Sequence, residues 1–149
     1  MAPTAYLSRR YHLSASHRLH SHAYSAEQNQ ATYGKCNNPH GHGHNYVIEV
    51  LTRGAVDPET GMAIDLVKLD EAVRTKVLDR FDHVNLNLDP LFVERVPTTE
   101  NLCKVVFGIL EDALPKGRLE SVRVEETENN FFQCWEVEDD FVALERAIA

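Results

Sequence analysis

Within the thirteen residues from Gly34 to Tyr46 the chain carries a thiol and three imidazoles: Cys36, His40, His42 and His44. All four have the chemistry of metal ligands or proton carriers. The segment then runs into an apolar alternation from His44 to Thr52 that reads as a strand. Side chains on a strand alternate between faces, so His42 and His44 share one face and can grip one ion together. Zinc held by three protein ligands with a fourth position open is the usual catalytic arrangement, and the third ligand must then come from elsewhere in the chain.

His17 is the candidate. Tyr11, Leu13, Ala15 and His17 alternate with His12, Ser14, Ser16 and Arg18, which predicts a strand over residues 6–19 with one half-buried side. Taken alone, His17 reads as a hydrogen-bonded core histidine. If its strand pairs antiparallel with the one starting at His44, cross-strand neighbours lie about 4.5–5.5 Å apart at Cβ, and His17, His42 and His44 make a three-imidazole site. Cys36 sits among polar neighbours beside the cluster. As a fourth ligand it would close the site; as a base or nucleophile it would work from a thiolate, which a nearby metal or Lys35 favours. Asp82 and His83, adjacent in sequence, offer a second acid–base pair in which the carboxylate fixes the imidazole tautomer.

Elements that hold these groups follow from the pattern of the remainder. A polar loop from His20 to Pro39 has room for a short helix over 26–32, and His20 and His22 read as surface residues. Met62 to Leu66 reads as a returning strand. A helix then starts after an Asp65 cap and runs to residues 78–81 on the stripe Leu66, Leu69, Ala72, Val73 and Val77. A second helix opens at Pro97-Thr98-Thr99-Glu100 and ends at Pro115 and Gly117. Strands around Val122–Val124 and Phe131–Val137 flank an Asn129-Asn130 turn, and the tail after residue 137 has a helical stripe at Phe141, Leu144 and Ile148. Strands segregated from helices indicate an α+β fold, an antiparallel sheet with helices on one face. The uncovered face and the edges of such a sheet need cover, which oligomerisation supplies.

At 149 residues, 43% hydrophobic and 26% charged, the chain reads as one globular domain, 1–149. A net charge of -8 argues against a nucleic-acid surface. No run approaches the roughly 20 apolar residues that span a bilayer, and the N-terminus has no signal-peptide pattern, so a cytoplasmic protein is expected. Cysteines at 36, 103 and 134 form no disulfide framework, and Cys103 and Cys134 read as buried small hydrophobes.

Six motifs occur in one order along the chain: Ser14-Ala15-Ser16-His17-Arg18-Leu19, Gly34-Lys35-Cys36-Asn37-Asn38-Pro39, Gly41-His42-Gly43-His44-Asn45-Tyr46, Asp82-His83-Val84-Asn85-Leu86, Thr98-Thr99-Glu100-Asn101 and Glu126-Thr127-Glu128-Asn129-Asn130. Together they resemble the 6-pyruvoyl tetrahydropterin synthase family. The resemblance implies a tunnelling fold: a four-stranded antiparallel sheet with two helices on one face, closing as trimers into barrels that stack into a homohexamer, with active sites between subunits. It implies conversion of 7,8-dihydroneopterin triphosphate to 6-pyruvoyl-tetrahydropterin with loss of triphosphate, and no external redox cofactor.

Carried over by motif, His17, His42 and His44 become the zinc ligands and Cys36 the general base. Asp82 and His83 become a proton relay from a neighbouring subunit, and Glu126 the pterin anchor. Thr98, Thr99 and Glu100 are further pterin contacts, Arg18 and Lys35 are candidates for the triphosphate, and magnesium accompanies the phosphates. Two departures stand out. Position 40 is histidine where animal members have asparagine, and the chain continues past the last core strand. Cys36-x-x-x-His40-Gly-His42 also satisfies the spacing of the related 6-carboxytetrahydropterin synthase of queuosine biosynthesis, in which His40 and His42 would bind zinc. A third reading is a zinc-stabilised binding module closed by Cys36.

Overall fold

The computed structural model describes residues 3–135. Two long strands, β1 (Thr4–His17) and β2 (His42–Ala55), form its spine and pair antiparallel from Thr4↔Ala55 to His17↔His42. On β1 the face carrying Leu13, Ala15 and His17 is buried, as the alternation predicts; on β2 the same holds for Tyr46, Ile48 and Val50. β3 is only Val84–Asn85, β4 is Leu119–Thr127 and β5 is Asn130–Trp135, giving the sheet order β3-β1-β2-β4-β5.

Two expectations change here. The sheet has a fifth strand, because β3 lies parallel on the outer edge of β1, with Ala15 opposite Val84. The returning strand over Met62–Leu66 does not form. Both edges of β2 are occupied, by β1 and β4, so a hairpin partner has nowhere to pair. Residues 57–62 instead close a local loop in which Asp57 Oδ1 accepts from the backbone N–H groups of Glu59 and Thr60.

The short helix after the polar loop, α1 (Ala26–Tyr33), begins in a capping box between Ser25 and Gln28. α2 (Leu66–Val73), capped by Asp65, continues through a π-helical turn (Arg74–Leu78) and a last turn (Asp79–Phe81). α3 (Thr99–Ala113) packs on β4 and β5. Leu69, Val73, Val77, Leu102, Val106 and Leu110 are buried with Ile48, Val50, Val122 and Val124 in one apolar core. Cys103 is buried, its thiol donating to the Val122 carbonyl at 3.2 Å, while Cys134 is half-buried. Residues 136–149, including the expected tail helix, lie outside the described residues.

Candidate active site

The β1–β2 register decides which histidines meet. His17 pairs directly with His42, and His44 stands opposite Ala15, one step along the same face. The pairing of His17 with His44 expected from sequence is therefore diagonal. One ring nitrogen from each of His17, His42 and His44 falls within 4.8 Å of the others. His17 Nε2 is 3.0 Å from His42 Nε2, close to the roughly 3.3 Å between two nitrogens bound to one tetrahedral zinc.

His17 is 1% exposed, and its Nδ1–H donates to the Pro97 carbonyl at 2.7 Å. A carbonyl can only accept, so the proton stays on Nδ1 and the Nε2 lone pair faces His42 and His44. Burial lowers the pKa of His17 and of His44, which keeps both imidazoles neutral, the form that ligates a metal. His44 Nε2 is buried without a hydrogen bond, with Glu126 Oε1 at 3.5 Å. An orphaned buried nitrogen within a cluster of three imidazoles fits a cation among them.

Gly41 makes the turn into β2 possible. Its φ of 70° is in the left-handed region, and a Cβ there would stand 2.9 Å from the His17 carbonyl oxygen. His40, one residue earlier, is exposed, and its ring is outside the three-imidazole group.

Cys36 lies in a 3-10 turn, Gly34–Asn37, that is sewn to the end of β1. Leu19 N–H donates to the Cys36 carbonyl at 2.9 Å, and the buried Asn37 donates from Nδ2 to the Leu19 carbonyl at 2.7 Å. Arg18 Nε donates to the Asn37 carbonyl at 3.0 Å. The thiol is half-buried and is not among the clustered ligand atoms. Lys35 is exposed on the same turn.

Asp82 and His83 leave the last turn of α2 and grip Ser14 by both backbone groups. Asp82 Oδ1 accepts from Ser14 N–H at 2.8 Å, and His83 N–H donates to the Ser14 carbonyl at 2.6 Å. The Ser14 N–H bond, with help from His83, lowers the Asp82 pKa. His83 Nδ1 stands 3.0 Å from Asp82 Oδ1. His83 holds φ at 60°, uncommon for a residue with a side chain, and presents its ring to solvent at the sheet edge.

Glu126, the last residue but one of β4, stands beside the imidazoles. Thr99 Oγ1 donates to its Oε1 at 2.7 Å and Asn130 Nδ2 to its Oε2 at 3.0 Å. Burial pushes its pKa up, but these bonds and the nearby His44 and His17 outweigh it, so the carboxyl sits below its ordinary value. Thr98 is the helix cap, accepting from Asn101 N–H at 3.2 Å, and Glu100 is exposed in the first turn.

Two cavities meet at this end of the sheet. One of about 640 Å³ is lined by His17, Arg18, His20, His22, His40 and residues 92–97. The other, about 400 Å³, is lined by Ser14, Ser16, His44, Asn45 and His83. Cys36 and Glu126 line neither. The sequence gives no sign of the Pro97 carbonyl, because a backbone acceptor has no residue signature. Asn130 and Asn37 lie inside quoted motifs, and only the fold reveals what they hold.

The family model for 6-pyruvoyl tetrahydropterin synthase matches residues 6–137. The chain is 46% identical over 127 residues to the 6-pyruvoyl tetrahydrobiopterin synthase of Homo sapiens, an alignment spanning 85% of this chain and 88% of that one. It is also 46% identical over 132 residues to the Dictyostelium discoideum protein of the same name, spanning 88% and 96% respectively. The structure of Caenorhabditis elegans 6-pyruvoyl tetrahydropterin synthase superposes with a TM-score of 0.87 at 42% identity, over 91% of this chain and 98% of that one. With sequence, fold and family model agreeing over nearly the whole described chain, the protein belongs to the 6-pyruvoyl tetrahydropterin synthase family.

Proposed function

We propose that the protein is a zinc-dependent lyase of the cytoplasm that converts 7,8-dihydroneopterin triphosphate to 6-pyruvoyl-tetrahydropterin and triphosphate, the pterin step toward tetrahydrobiopterin. The observation that carries this reading is the convergence of His17, His42 and His44 within 4.8 Å beside the already oriented carboxylate of Glu126. In this reading the three imidazoles hold a zinc ion. The bound ion would polarise the substrate's side-chain oxygens and acidify the adjacent C–H bonds. No protein anion is among the three donors, so a bound ion would keep its full charge.

The chain's own residues do the rest. Glu126 accepts two parallel N–H bonds from the guanidine-like edge of the pterin, fixing the ring and hence the distance from the side chain to the metal. Cys36 removes a proton from the side-chain carbon, and Asp82 with His83 returns or accepts one on the other side. Microscopic proton movements of this kind shift hydrogen within the substrate and need no external redox partner. Arg18, on the wall of the larger cavity, and the exposed Lys35 receive the triphosphate together with magnesium. In one chain His83 lines the smaller cavity and His17 the larger. Following the family resemblance, we take the relay to come from a neighbouring subunit in a homohexamer of single-domain chains built as two trimers.

Incubating the purified protein with zinc, magnesium and 7,8-dihydroneopterin triphosphate, followed by mass spectrometry, tests the assignment. The expected product is 6-pyruvoyl-tetrahydropterin. A carboxy-tetrahydropterin with acetaldehyde would replace this reading with the 6-carboxytetrahydropterin synthase activity, and zinc-loaded protein without turnover would leave a binding module.

A further inference from the structure

Both oxygens of Glu126 are engaged before any substrate arrives: Oε1 by the Thr99 hydroxyl at 2.7 Å, Oε2 by the Asn130 amide at 3.0 Å. A carboxylate has about four lone-pair sites, so one bond on each oxygen leaves one site on each. That is the number a two-point N–H edge requires. Thr99 is 2% exposed, lines neither cavity, and turns its hydroxyl toward Glu126. Asn130 reaches Glu126 across the β4–β5 turn, where the Thr127 hydroxyl in turn donates to Asn130 Oδ1. Pro97, Thr98 and Thr99 are consecutive and divide three tasks. Pro97 accepts from His17 Nδ1, Thr98 caps α3 and Thr99 holds Glu126.

We propose that Thr99 is a positioning residue, with Asn130 as its counterpart, that locks the Glu126 carboxylate in the orientation that binds the pterin edge; this rests on the function proposed above. In this proposal the Thr99 side chain acts through Glu126, in place of the direct pterin contact that the family resemblance implies. A free glutamate loses side-chain rotamer freedom when a ligand orders it, whereas a carboxylate already tied at both oxygens does not.

Thr99→Val removes the donor at nearly constant shape, and Thr99→Ser keeps it. Three readouts separate positioning from folding: equilibrium binding of 7,8-dihydroneopterin followed by its fluorescence, zinc content by elemental analysis, and KM and kcat with the triphosphate. Loss of a hydrogen bond to a charged group predicts that Thr99→Val weakens pterin binding and raises KM by roughly tenfold to a hundredfold. Its kcat stays within about threefold, the signature of lost uniform binding. Zinc content stays at the wild-type level and Thr99→Ser restores binding. If Thr99→Val does not fold, Asn130→Asp, which sets a carboxylate against Glu126, is expected to give the same selective loss of pterin binding. Wild-type pterin affinity in Thr99→Val overturns the inference, as does loss of zinc in step with pterin, which a purely structural role would produce. Zinc-loaded wild-type protein that binds no dihydroneopterin removes the functional reading and this inference with it; a wild-type binder with an unaffected Thr99→Val removes the inference alone.

Discussion

His17 shows how much one side chain can be asked to do. It is almost fully buried, hydrogen-bonded through Nδ1 and turned through Nε2 to two other imidazoles. The roles of core histidine and proposed metal ligand are compatible in this residue, because burial favours the neutral ring and the Pro97 carbonyl chooses its tautomer. Cys36 is different in kind. It is half-buried, outside the ligand group, and held by backbone bonds to the residues just after His17. Cys36→Ala is therefore expected to keep the zinc content of the wild type and to lower turnover by at least about a hundredfold, the low end of a lost acid–base group. Elemental analysis beside the product assay checks both halves, and zinc lost with the thiol would make Cys36 a ligand instead.

At the scale of elements, alternation and caps were the legible signals. The strand expected over residues 6–19 is β1, the Asp65 and Thr98 caps start α2 and α3, and the buried face of β2 is the one its pattern marks. Pairing was not legible. The strand expected at Met62–Leu66 has suitable residues but no vacant edge, and β3 is two residues with no period to detect. At the site, residue types pointed to the histidines, Glu126 entered only through the motif resemblance, and the diagonal placement of His44 required the register.

The segment between α2 and α3 is fastened by a bidentate pair, Arg80 Nε and NH2 to Asp89 Oδ2 and Oδ1, both at 2.8 Å. Arg80 holds the Asp89 carboxyl below its ordinary 3.8 against the opposing effect of burial, and the Leu91 N–H assists. A carboxyl lowered in the folded state binds fewer protons there than in the unfolded chain, so its stabilisation is complete above the ordinary value. It is lost as pH falls through the folded value. Asp89→Asn is thus expected to destabilise by about 0.5–1 kcal/mol at neutral pH, discounted because Arg80 is partly solvated. The difference in stability between the two proteins should begin to close as pH falls below about 4 and vanish only below the lowered folded value. A gap that stays constant into acid would assign the loss to packing.

For the whole molecule, the decisive question is whether one chain suffices. Tyr6, Phe131 and Trp135 are exposed, and β5 is the outer strand beside β4. The larger cavity belongs to His17 and Arg18, the smaller to His44 and His83. If the thiol of one subunit works with the relay of the next, unfolding and co-refolding equal amounts of Cys36→Ala and His83→Ala should restore activity that neither variant has. Random pairing in a cyclic assembly gives at most roughly a quarter of the sites both intact groups. Activity assays on the mixed assembly measure this, and a mixture as inactive as its components would place the relay within the same chain.

The fourteen-pair match of β1 to β2 runs from Thr4↔Ala55 to His17↔His42 without a bulge. The convergence of His17, His42 and His44 at its end therefore depends on a count kept along the full length of both strands. Adding or deleting one residue anywhere within either strand would either turn an imidazole to the opposite side of the sheet or force a bulge into the ladder. The loop between Asp57 and Met62 bears no such count. In an open reading frame for this protein, single-codon insertions are thus expected to be silent in that loop and crippling in the strands, including at positions far from any reacting atom.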